Sequence, residues 1–183
     1  NDIDCIVAGA IHSTSTVLRS AIRLVGLKNN SKWVSSVFFM LSPCNQHIYT
    51  YSDCAVIPDP SSEQLCSIAY EASKLHSLLT EDLSKVAFLS FSTNGSADHY
   101  KVKKVQESVK LFSNKYPDII HEGEIQFDTA VSKIVATKKN TNSRILGDAN
   151  IFIFPDLDSG NISYKITQYL AGYQAIGPII TGL

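Results

Sequence analysis

Three stretches of this sequence set hydroxyl, amide or carboxylate side chains beside a cation or an expected helix start, a combination suited to gripping an anionic ligand. In "AGAIHSTSTVLR", His12, Ser13, Thr14, Ser15 and Thr16 precede Arg19. The hydroxyls can cap a helix, and a guanidinium about one turn inside it matches phosphate oxygens two at a time. In "FLSFSTNGSADHYKVKKV", Ser92, Thr93, Asn94, Gly95 and Ser96 form a small-residue loop that can bring backbone close to a ligand, although the spacing of a P-loop is absent. In "FIFPDLDSGNISYK", Pro155 ends an apolar run, and Asp156 and Asp158 can accept hydrogen bonds in the turn. Ser159 and Gly160 follow, Gly160 permits tight backbone geometry, Asn161 can cap or touch a ligand, and Tyr164 and Lys165 are expected to project from the first turn of the next helix. Capping alone accounts for the first two stretches, and for the third a capping turn and a binding loop fit equally. No Gly-x-Ser-x-Gly elbow occurs and no His neighbours the two carboxylates, so the spacing gives ligand-capable loops and no hydrolytic triad.

Such loops need a scaffold. Apolar runs at residues 5–10, 34–41, 47–56, 86–92 and 151–155 are continuous rather than alternating, which suits strands covered on both faces. Between them, Leu65, Ile68, Ala69, Ala72, Leu75 and Leu79 fall on one helical stripe, with Ser62 offered as N-cap. Val102, Val105, Val109 and Phe112 mark a second helix. A third is expected from Thr14 or Ser15 through Arg19 and Ile22 to about Val25, and a fourth, after Gly160, carries Ile162, Ile166, Tyr169 and Leu170. Alternating strands and helices predict an α/β fold with a mostly parallel sheet, made mixed by an antiparallel hairpin from 34–41 and 47–56. Ligands of such sheets bind at the carboxyl ends of the strands, where all three stretches are expected. Residues 137–148 read as a surface loop with solvated charges.

Composition narrows the partners. In 183 residues, 44% are hydrophobic and 18% charged, and 16 Lys and Arg stand against 17 acidic residues. That balance supplies no field to draw nucleic acid or an anionic membrane, so an anion would have to be held locally. No apolar run approaches a membrane span, and the first residues lack a basic n-region, which predicts a cytoplasmic setting. Cys5, Cys44, Cys54 and Cys66 match no zinc pattern and are expected as reduced thiols, Cys5 and Cys66 in apolar stretches. The five histidines are scattered without ligand spacing, so no metal is expected. Beginning at Asn and stopping after "AIGPIITGL", the chain is expected to be a piece of something longer.

Taken in order, "AGAIHST" with Arg19, "SSVFFML", "DCAVIPDPSSEQL", "LSFSTNGSADHYKVKKV", "EGEIQFDTA", "IFIFPDLDSGNISYK" and "AIGPIITGL" resemble the phosphate acetyl/butyryltransferase family, specifically its phosphate acetyltransferases, over nearly the whole chain. The resemblance implies two α/β domains around a cleft, in the manner of isocitrate and isopropylmalate dehydrogenases. Residues 30–176 would be an inserted domain, and 1–29 and 177–183 the edges of the other. It implies reversible acetyl transfer between acetyl phosphate and coenzyme A, with coenzyme A as substrate, no resident cofactor, and a homodimer formed through the inserted domain. By the same resemblance Arg19, aided by Ser13 and Thr14, holds an anion. Ser92, Thr93, Gly95 and Ser96, and Asp156, Ser159, Gly160 and Asn161, line the cleft. The family's Ser-Arg-Gly segment and the Asp base that follows it are expected beyond Leu183, so no catalytic residue is assigned within this chain, and these residues alone are expected to be inactive. Where the family has Ala-Asp-Thr before its Leu-Arg pair, this chain has Ser15, Thr16 and Val17. A regulatory, acetyl-CoA-sensing domain of the same ancestry and a butyryl-specific transferase are the alternatives.

Overall fold

The computed structural model describes residues 6–29, 31–44, 46–140 and 142–183. Six strands, β1 (Ser35–Leu41), β2 (Ile48–Ser52), β3 (Lys85–Leu89), β4 (Ile120–Ile125), β5 (Ile151–Ile153) and β6 (Gln174–Thr181), form one sheet in the order β4-β3-β5-β2-β1-β6. β2, β5, β3 and β4 run parallel, and β1 is antiparallel to both β2 and β6. The fold is thus the expected mixed, mostly parallel α/β sheet with the expected hairpin.

Helices cover both faces. α2 (Ser62–Thr80) and α3 (Tyr100–Lys115) pack on one side, where Leu65, Ile68, Ala72, Val105 and Phe112 meet Val37, Val86, Phe88, Ile151 and Ile153. On the other side α4 (Phe127–Val131) and α6 (Leu157–Leu170) close over Phe38, Ala87, Ile125 and Phe152. α5 (Lys133–Lys139) follows α4, and α1 (Thr14–Leu24) stands before the sheet and buries none of its residues. Strands covered on both sides explain the continuous apolar runs.

Several expectations need correction. Residues 6–10 form no strand, and Val7 is 97% exposed. An apolar run becomes a strand only where a neighbour takes its backbone donors, and none does so among the described residues; Cys5 lies outside them. The N-cap of α2 is Ser61, joined to Gln64 in a capping box, while the Ser62 hydroxyl reaches Lys104 O and Glu107. α6 begins before Gly160, capped by Asp156. Tyr164 turns inward and stacks on Phe38 with ring centroids 4.3 Å apart. The expected loop at 137–148 starts inside α5.

Gly160 shows why this helix needs a glycine. A Cβ there would stand 2.3 Å from the Asp53 carbonyl oxygen, so the residue lets α6 approach the exit of β2. The reason is closeness, not a left-handed backbone.

Candidate functional site

The β3–α3 connection is built around a carboxylate. Glu124, on β4 and 2% exposed, accepts from the Ser92 hydroxyl at 2.8 Å and from the Gly95 amide at 2.7 Å, while its backbone carbonyl takes the Asn94 amide at 3.1 Å. The remaining amides are also used: Ser92 N donates to Ser90 Oγ, Thr93 N to Ser96 Oγ, Ser96 N to the Thr93 carbonyl and Ala97 N to Ser92 Oγ. Thr93 Oγ1 accepts from Gln126 N at 2.9 Å. Every backbone donor from Ser92 to Ala97 therefore has an internal acceptor. Ser92 and Thr93 are buried, whereas Asn94, Gly95 and Ser96 face solvent with Asn94 and Gly95 at positive φ.

The β5–α6 connection is bound to the same end of the sheet. Asp156 Oδ1 caps α6 by accepting Ser159 N at 3.0 Å, and its Oδ2 receives Lys101 Nζ from the first turn of α3 at 3.2 Å. Lys104 Nζ, one turn on, donates to the Pro155 carbonyl at 2.9 Å and pairs with Asp59 at 2.6 Å. Burial alone would raise the Asp156 carboxyl, but hydrogen bonds from Ser159 and Lys101 outweigh it and hold the group below its usual range. The same bond to Asp156 raises Lys101. Asn161 Nδ2 donates to the Cys54 carbonyl at 3.1 Å, so its amide braces α6 against the exit of β2. That exit is itself shaped by Asp53, 2% exposed, which accepts from Ser36 Oγ and from the amides of Ala55, Val56 and Ile57.

Two of the three expected ligand stretches are thus fastened together at the carboxyl ends of the parallel strands, through Lys101 and Lys104. The third stands apart. Ser13 caps α1, accepting from Thr16 N, with Thr14 exposed beside it. Arg19 is exposed and makes no hydrogen bond or ion pair with the other described residues. A cavity of about 730 Å³ lies elsewhere: Leu83, Ser84, Ile119 and Ile120 at the amino ends of β3 and β4 line it.

Glu124, Asp53, Lys101 and Lys104 were not singled out as chemistry-bearing from the sequence. The signal for Glu124 was its two-residue alternation with Glu122 and Gln126, the mark of a strand; the acidic side chains point instead to a surface. The described cysteines Cys44, Cys54 and Cys66 are free thiols, Cys54 and Cys66 buried. Burial pushes the Cys54 thiol well up. No described helix is long and apolar enough to cross a membrane.

Known proteins are similar to this chain in sequence and in fold. A phosphate acetyltransferase of Staphylococcus aureus is 44% identical over 185 residues, which cover 98% of this chain and 55% of that protein. A phosphate acetyltransferase of Escherichia coli is 40% identical over 183 residues, 100% of this chain and 25% of that protein. The crystal structure of a phosphotransacetylase from Streptococcus pyogenes superposes with a TM-score of 0.90 at 40% identity, covering 96% of this chain and 53% of that one. The chain spans about half or less of the length of these relatives. The family model described as "Phosphate acetyl/butaryl transferase" matches residues 1–183, and the chain belongs to that family.

Proposed function

We propose that the protein carrying this chain transfers an acetyl group reversibly between acetyl phosphate and coenzyme A. The observation that carries the reading is 44% identity with a phosphate acetyltransferase across 98% of the chain. In the proposed reaction the coenzyme A sulfur bonds to the acetyl carbon, the bond from that carbon to the phosphate oxygen breaks, and phosphate leaves. The thiol proton passes to the Asp expected beyond Leu183. Negative charge grows on the carbonyl oxygen and the departing phosphate, so a cation and helix starts in a closing cleft lower the barrier. Arg19, with Ser13 and Thr14, is the anion-holding group in this reading, brought over the joined β3–α3 and β5–α6 connections by a second domain. Residues 30–176 form the inserted domain, and the isolated chain is inactive because the base and the rest of the cleft lie on other segments. Free thiols suit a reducing, cytoplasmic setting.

The reading also includes a homodimer through the inserted domain. Its support is α6, which leaves Ile162, Ile166, Tyr169 and Leu170 between 53% and 83% exposed on one face. The test is thioester formation by the full-length protein from acetyl phosphate or butyryl phosphate with coenzyme A. The expected outcome is a higher kcat/KM for acetyl phosphate. No thioester from either donor would overturn the reading, and a preference for butyryl phosphate would replace it.

A further inference from the structure

The β3–α3 connection ends in an open run of aromatic rings. Phe91 is 57% exposed and Tyr100 is 69% exposed, with His99 exposed between them. The Phe91 and His99 ring centroids are 5.8 Å apart at an interplanar angle of 68°, and those of His99 and Tyr100 are 4.5 Å apart at 36°. His99 is fixed by capping α3, its Nδ1 accepting from Lys101 N at 3.2 Å. Phe91 and Tyr100, the latter on the first turn of α3, both remain more than half exposed.

What this connection can bind follows from what it has already used. Its backbone amides from Ser92 to Ala97 are all satisfied internally, and the charge nearest to them is the buried Glu124 carboxylate, which opposes an approaching phosphate. The cations alongside are neutralised in pairs, Lys103 with Asp98 at 2.7 Å and Lys101 with Asp156 at 3.2 Å. Exposed on this connection are the aromatic rings together with the Asn94 side-chain amide, near the carboxyl ends of the parallel strands. A neutral, flat heteroaromatic ring with polar edges is complementary to that combination, because stacking uses the faces and the Asn94 amide meets ring nitrogens.

We infer that Phe91, His99 and Tyr100 form the platform on which the adenine ring of coenzyme A stacks, and that the phosphates of both substrates are held elsewhere. The inference rests on the proposed acyl transfer to coenzyme A. It assigns the Ser92–Ser96 loop to the neutral end of that substrate rather than to acetyl phosphate.

The test compares two thiol acceptors in the full-length protein: coenzyme A, and 4′-phosphopantetheine, which lacks the adenosine. In Tyr100→Ala and Phe91→Ala the ratio of kcat/KM for coenzyme A to that for 4′-phosphopantetheine should fall about tenfold, the scale of a lost base-aromatic stack, with Tyr100→Phe restoring it. An unchanged ratio overturns the platform, whether the rings are covered by another segment of the full-length protein or serve only folding, since either would affect the two acceptors alike. A second arm titrates adenosine 3′,5′-bisphosphate into the wild type and both variants without any turnover. Binding that weakens in the variants supports the platform even if the wild type makes no thioester, which would sink the acyl-transfer reading alone. Equal binding by all three, or none by the wild type, overturns the platform and leaves the transfer reading intact.

Discussion

Glu124 has one oxygen between the Ser92 hydroxyl and the Gly95 amide, in a site closed to water. Removing it leaves buried donors without an acceptor, at a cost of about 1–3 kcal/mol. Glu124→Ala should therefore lower the urea midpoint of unfolding, and Glu124→Gln, which keeps an acceptor oxygen in place, should lower it less; equal midpoints for both and the wild type would show that the loop does not depend on this group. His76 makes a pH prediction. It is fully buried, with Nδ1 2.8 Å from Thr50 Oγ1 and Nε2 without a partner among the described residues. Burial lowers its pKa below the usual 6.5 against a weaker opposing pull from Asp82. The unfolded chain then binds this proton first as pH falls, so stability is full above 6.5 and declines as pH drops from 6.5 toward the lower folded value. Urea unfolding across that window should show the decline, flattened in His76→Gln; a stability that rises on acidification in the wild type alone would reverse the assignment. Neither role was legible in the sequence, where a Glu and a His look like surface residues, because the pairing that makes them tolerable in a core comes from other elements.

At the scale of elements, α6 depends on a glycine for its distance from the sheet. Gly160→Ala would set a methyl 2.3 Å from the Asp53 carbonyl and push the helix off the β2 exit. The expected loss is about 1–3 kcal/mol of stability, read as a lower unfolding midpoint. A variant as stable as the wild type would mean that α6 does not sit this close. The sequence placed α2, α3, α6 and four of the six strands because their apolar spacing is dictated by two covered faces. β4 and β6 escaped for local reasons. "IHEGEI" buries His121, Glu122 and Glu124 by hydrogen-bonding each of them, so its pattern looks polar. β6 carries Gly177 and Pro178 beside a register shift against β1, features that normally argue against a strand.

Across the whole molecule, the three stretches were legible in the sequence, but the joining of two of them at the carboxyl ends of the parallel strands was not. Lys101 and Lys104 look like solvated charges on a helix start, and only the fold brings them to Asp156 and Pro155. In the proposed homodimer the exposed face of α6 is the subunit contact. Replacing Ile166 and Leu170 together by Arg should convert a dimer into monomers in sedimentation, and an unchanged mass would place the subunit contact elsewhere. The position of Arg19, on a helix that buries nothing within this chain, tests the transfer reading most directly. Steady-state formation of acetyl-CoA by the full-length protein and its Arg19→Ala variant should show kcat/KM for acetyl phosphate falling by about 100-fold with the fold intact, whereas a variant as active as the wild type would contradict an anion-holding role for this guanidinium.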